Sequence, residues 1–154
     1  MYDISIKTIQ PKHLVGLSHR GRYQDIGATF GRLAEIAGAR GIDAVMTGCV
    51  GVYYDDPGAV PAEELRSLAA FVVGAPMAVE PPLESAMIEG GHYAVLRFVG
   101  PYEGLGDAWA WLYSDGLSKL GRPMREGPAF EDYVNDPMNT KPTDLVTDLY
   151  VPLA

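Results

Sequence analysis

Cysteine is almost absent from this chain. Cys49 is the only one in 154 residues, so no intramolecular disulfide can form, and a reducing compartment is the simpler reading. Histidine is scarce too. His13, His19 and His92 are scattered, with no cysteine pair and no His-x-x-x-His, which excludes a structural zinc site. No Gly-x-Gly-x-x-Gly, no P-loop and no Gly-x-Ser-x-Gly elbow is present, so no cofactor is expected. Asp55-Asp56-Pro57-Gly58 reads as a turn with polar caps rather than a metal site. Basic residues are few, 12 Lys and Arg against 20 Asp and Glu, for a net charge of −8. No basic run is present, which argues against nucleic-acid binding. A neutral or cationic small molecule fits this balance better. Long apolar runs are also missing. The longest, Leu68 to Val79, is broken by Gly74 and Pro76, and no membrane span is expected. Nothing after Met1 has the pattern of a secretory leader, so the expected location is the cytoplasm.

What is present reads twice. Gly21, Tyr23, Gly27, Phe30 and Leu33 recur 79 positions later as Gly100, Tyr102, Gly106, Trp109 and Leu112. With a one-residue adjustment, Tyr53-Tyr54-Asp55-Asp56-Pro57 matches Tyr133-Val134-Asn135-Asp136-Pro137. Each half runs from a strand through a Gly-x-Tyr turn into a helix, then through a strand ending near Asp-Pro to a last strand. A duplicated single domain over 1–154 follows, with repeats at about 1–75 and 85–154 and a proline-containing linker at 74–84. The linker is short enough that packed modules are expected.

Tyr2 to Ile9 reads as an edge strand, and His13 to Ser18 as a short second strand or a continuation past a bulge. Tyr23, Ile26, Phe30, Leu33 and Ala37 form one helical stripe, stopped by a left-handed cap at Gly41. Gly27 and Gly31 weaken that helix, and close approach of helix to sheet is the simplest reason for them. Val45 to Tyr54 is strand-like, Leu68 to Val73 reads as a central strand, and Pro61 with Glu63 and Glu64 as one helical turn. In the second half, Tyr93 to Val99, Phe130 to Val134 and Leu145 to Val151 are strands. Leu105, Trp109, Leu112 and Gly116 form the helical stripe, and Gly121 ends it. The fold class is α+β, a tandem pseudo-two-fold repeat of β-α-β-β modules with antiparallel sheets and two main helices.

Glu131 is the outlier. It sits mid-strand beside Phe130, and its face is shared with Tyr133, about 6–7 Å away. Such a pair can neutralise a cation, or act as an acid or base if buried. The same pattern also fits a glutamate on a solvated sheet face. The first-half equivalent is Gly51, so an asymmetric site is allowed. Around it cluster Tyr53, Tyr93, Tyr102, Trp109 and Trp111. Trp109 occupies the core position of Phe30. Trp111 lies off the stripe, where the first half has Arg32, and reads as a contact for a ligand, a partner or a second subunit. Aromatic faces around a carboxylate suit flat or cationic ligands. No nucleophile stands out, and Cys49 reads as a small core residue.

Several segments together resemble the GyrI-like small-molecule-binding family. They are Val52 to Pro57, Val60 to Arg66, Gly90 to Val95, Val99 to Tyr102, Pro128 to Asn135 and Leu149 to Pro152. The resemblance implies a ligand groove between the two modules, with Glu131 at the position of a strand glutamate that meets cationic drugs. It also relates the chain to the effector-binding domains of AraC- and MerR-type regulators. For a lone domain it implies three roles. The first is a receptor for planar aromatic or cationic xenobiotics, using Glu131, Tyr133, Tyr53, Trp109, Trp111, Tyr93 and Tyr102. The second is a hydrolase opening cyclopropane-bearing electrophiles, with Glu131 and Tyr133 catalytic and Trp109, Trp111 and Tyr53 competing with Tyr133 as the aromatic partner. The third is an interaction module inhibiting DNA gyrase. A homodimer is compatible with an exposed Trp111.

Overall fold

The computed structural model describes residues 2–154. In chain order the strands are β1 (Asp3–Ile9), β2 (Lys12–Arg20), β3 (Met46–Tyr53), β4 (Arg66–Val73), β5 (Leu83–Ile88), β6 (Gly91–Val99), β7 (Ala129–Tyr133) and β8 (Val146–Pro152). The helices are α1 (Ile26–Ala39), α2 (Leu105–Trp111) and α3 (Leu117–Leu120), and a π-helical turn over Leu112–Gly116 joins the last two. Short 3-10 turns include Ala62–Glu64, where the acidic turn after Pro61 was expected. The class is α+β, with antiparallel sheets and two main helical elements, as the sequence pattern predicts.

The chain divides into two compact units, and they are not the two sequence halves. One comprises Pro11–Glu89, the other Gly90–Ala154 together with the segment that ends at Gln10. In the first unit the strand order is β3-β4-β2-β5, and in the second β1-β6-β8-β7. The leading strand of each repeat therefore joins the other repeat's sheet. Between β1 and β2 only Gln10-Pro11 intervenes. Pro11 has its φ fixed near −65° and cannot take the positive φ of a type I′ turn, Gln10 is not the glycine that a type II′ turn favours, and β2 pairs with β4 and β5 instead. The segment 74–84, expected to be all linker, already contains the start of β5 at Leu83.

In the unit spanning 11–89, α1 lays Ile26, Leu33 and Ala37 on Val15, Leu17, Ala69, Phe71 and Val73. The helical stripe is thus the one the spacing predicts, with Thr29 added, and Gly41 takes a left-handed φ of 74° as expected. The reason expected for Gly27 and Gly31 fails: a Cβ at either would meet nothing within 4 Å. Close approach occurs at Gly16 instead, where a Cβ would stand 2.7 Å from the Ala69 carbonyl oxygen.

In the other unit, Ala108 and Leu112 pack on Ala94, Leu96, Phe98, Leu149, Val151 and Leu153. The duplication persists in the turns. The Asp55 side chain accepts from the Arg66 amide, as Asn135 does from Val146. Asp56 and Asp136 each accept from the amide two residues on.

Candidate functional site

Strand β7 sets the position of Glu131. On one face Phe130 stacks on Tyr150 with ring centroids 4.3 Å apart and planes within 9°. This apolar anchor fixes the register, because a one-residue slip would exchange the faces. The other face carries Glu131 opposite Leu149, and Tyr133 opposite Thr147. Leu149 belongs to the core beneath α2, so Glu131 looks toward the helix. It is buried, at 5% exposure.

Both carboxylate oxygens accept short hydrogen bonds. The indole Nε1–H of Trp109 donates to Oε2 at 2.6 Å, and the phenol of Tyr133 donates to Oε1 at 2.6 Å. A carboxylate taken from water needs such donors, and bonds to a charged acceptor are stronger than neutral ones. Indole and phenol supply hydrogen bonds without charge, so these two donors solvate the carboxylate without neutralising it.

More rings extend the cluster. Tyr102 meets Tyr133 edge-on at 5.8 Å, and Tyr113 stacks on Trp109 at 5.8 Å with planes 22° apart. Tyr113 is 49% exposed, so the rings run from the buried acid to solvent. It lies one helical turn beyond Trp109, at the start of the π turn, an irregularity frequent at functional sites.

Four of the seven residues expected from the sequence therefore converge: Glu131, Tyr133, Trp109 and Tyr102. Trp109 has its ring on the helical stripe, as Phe30 does in the other repeat, and its N–H on the acid. Trp111 does not join them. It is half-buried rather than exposed, packs on Tyr2 at 5.2 Å and carries Lys119 over its ring at 5.4 Å. Gly116, also buried, lies against it. The tryptophan thus packs between the N-terminal segment and the helical turns that follow it. Tyr93 is on the opposite face of its sheet, edge-on to Phe130 at 5.5 Å and under Arg125. Tyr53 lies in the other unit, against Tyr23 at 4.7 Å. The residue missed was Tyr113. Its signal was available, since the first repeat has Ala34 at that place.

Arg97 and Asp148 form a bidentate pair at 2.9 and 3.0 Å on the face opposite Glu131. Nearby Tyr150 has its pKa pushed up to about 12, first by burial and then by Asp132 and Asp148. Among the described residues, no group of three or more His, Cys, Asp or Glu side chains is placed to hold a metal ion. No helix of the described residues is long and apolar enough to cross a membrane. Two surface depressions lie elsewhere, one lined by Tyr2, Asp3, Arg97, Phe98 and Val99, the other by Ser18, His19, Arg20, Tyr54, Arg66, Ser67 and Glu84. Neither includes Glu131.

Comparison with known proteins covers the whole chain. Residues 2–154 match the GyrI-like small molecule binding domain. A DNA gyrase inhibitor of Erwinia billingiae is 34% identical over 116 residues, covering 71% of this chain and 72% of that protein. Among solved structures, the EcmrR C-terminal domain superposes with a TM-score of 0.79 at 15% identity, covering 100% of this chain and 98% of that domain. This chain spans 57% of the EcmrR chain in its DNA complex. SAV2435, solved bound to tetraphenylphosphonium, has a TM-score of 0.70 at 14% identity, covering 99% of this chain and 94% of the other.

Proposed function

The chain belongs to the GyrI-like small-molecule-binding family, and we propose that within it the chain is a receptor for flat or bulky aromatic cations, centred on Glu131. The observation that carries the reading is the buried Glu131 carboxylate, held by the Trp109 indole and the Tyr133 phenol and ringed by Tyr102 and Tyr113. Aromatic faces attract a cation within about 6 Å, and the acid supplies the opposite charge. The fold-mate SAV2435, solved with tetraphenylphosphonium, supports the ligand class. Because Glu131 is covered, ligand entry requires the rings above it to move, and Tyr113 at the rim is the first to do so. A role in sensing toxic compounds or protecting against them fits this chemistry.

A titration with tetraphenylphosphonium, followed by tryptophan fluorescence and by mass spectrometry of the recovered ligand, tests the proposal. Saturable quenching with intact ligand is the expected result. Absence of any response to tetraphenylphosphonium and to other aromatic cations would overturn it.

The Tyr133–Glu131 hydrogen bond favours one second reading, hydrolysis. A carboxylate with a phenol on its oxygen can take a proton from water as the water oxygen bonds to one cyclopropane carbon and a ring C–C bond breaks, and the proton then goes to the released carbon. Recovery of a strained cyclopropane probe with the mass of water added, lost in Glu131→Gln, would establish it. The Erwinia relative's name raises DNA gyrase as a partner. A pull-down of gyrase that survives Glu131→Gln and Trp109→Phe would place that activity outside this site.

A further inference from the structure

Strand β1 ends its sheet. It pairs with β6 from Asp3↔Arg97 to Ile9↔Gly91, and five of its seven residues are exposed. Ile6 is among them, an aliphatic side chain at 39% exposure. Such an edge is open to pairing with another strand, and proteins commonly guard it with lysine. Lys7 stands on this edge, and that restricts which partner can add to it.

The sequence of β1 is complementary to itself. Asp3 and Lys7 lie two residues to either side of Ser5. Asp3, Ser5 and Lys7 share one face of the strand, and Ile4 and Ile6 share the other. We propose that two copies of this chain associate by antiparallel pairing of their β1 strands about a two-fold axis at Ser5. Asp3 of each copy then stands opposite Lys7 of its mate, twice per interface. Ile4 stands opposite Ile6, which covers the exposed aliphatic surface. The contact is isologous, the commonest way for two copies to close.

Strand β5, which leads the second repeat as β1 leads the first, offers no such match. Its one charged residue is Glu84, with no lysine or arginine on the strand to oppose it. The net charge of −8 also opposes indiscriminate association of two copies. A single strand pairing covers less than the roughly 1,000 Å² typical of stable complexes, so the dimer is weak and concentration-dependent.

Sedimentation equilibrium of the full chain, from roughly 10 µM to 1 mM, reads the association directly. Wild type shifts from monomer toward dimer across that range. Lys7→Asp puts acid opposite acid and weakens association at least tenfold, and Asp3→Lys does the same with bases. The two variants mixed together oppose acid to base at both places and associate at least as well as wild type. Circular dichroism of each variant confirms that it is folded before mixing. A wild type that stays monomeric throughout overturns the proposal. So does a Lys7→Asp variant that dimerises as wild type does, or a mixture of folded variants that remains monomeric.

Discussion

Replacing Glu131 by Gln removes one negative charge and keeps the shape. The amide oxygen can still accept from the Trp109 indole, and the NH2 can donate to Tyr133, whose hydroxyl rotates to accept it. Both 2.6 Å contacts therefore persist in altered form, and the fold should survive. What changes is the attraction for a cation. The phenyl groups of tetraphenylphosphonium keep its charge about 6 Å from the carboxylate. At an effective dielectric constant of about 20, that pair is worth about 3 kcal/mol. Each 1.4 kcal/mol is a factor of ten, so Glu131→Gln should weaken tetraphenylphosphonium binding by about 100-fold. Triphenylphosphine oxide, similar in its rings but neutral, should lose no more than about threefold, since it gains nothing from the charge. Fluorescence titration of both ligands against both proteins gives the four constants. Equal losses for the cation and the neutral compound would refute the electrostatic reasoning, as would unchanged cation binding.

Other expectations follow from the same structure. Trp109→Phe keeps a ring but deletes the N–H donor to a buried acid; denaturant unfolding should show a loss of about 1.5–3 kcal/mol, and a loss under 0.5 would discount that bond. Gly16→Ala drives a Cβ into the Ala69 carbonyl and should cost about 1–3 kcal/mol by the same assay, whereas no change in midpoint would contradict the packing. Gly27→Ala and Gly31→Ala, in open space on α1, should each stabilise by about 0.5–1 kcal/mol. The Arg66 guanidinium holds the Asp55 carboxyl below its ordinary value, so the stability from this pair is present above about pH 4 and lost as acidification protonates Asp55. Asp55→Asn should flatten that part of the acid limb, and an unchanged limb would count against it. Tyr150 ionises near pH 12 in the fold and about 10 when unfolded, so its contribution is full below pH 10 and lost between 10 and 12. Absorbance titration at alkaline pH, with Tyr150→Phe as reference, reads that step.

Much of this fold is legible in the sequence alone. Period-3.6 spacing identified the face of α1, Gly41 and Gly121 marked both helix ends, and the internal repeat fixed the order of elements. Glu131 and Tyr133 could be placed on one face because strand alternation is strict. The failures share a cause, which is that one-dimensional patterns carry no information on long-range partners. Trp111 reads as a contact for a ligand, a partner or a second subunit because it leaves the stripe, yet Tyr2, far away in sequence, packs against it. Tyr93 alternates correctly along β6, but which sheet face meets α2 is decided by the whole core. The exchange of leading strands was hidden for the same reason, although Gln10-Pro11 disfavours a two-residue β1–β2 turn. Gly27 and Gly31 suggested a close approach that in fact occurs at Gly16, a residue the sequence pattern passed over.

The most direct test of the Glu131 site uses the two tryptophans as separate reporters. In a nitrogen–proton correlation spectrum the chain gives two indole signals, assigned by Trp109→Phe. The Trp109 indole, bound to a carboxylate at 2.6 Å, should lie far downfield and move on addition of tetraphenylphosphonium, while that of Trp111 stays in place. Movement of the Trp111 signal alone, or of neither at saturating ligand, would contradict a binding site at Glu131.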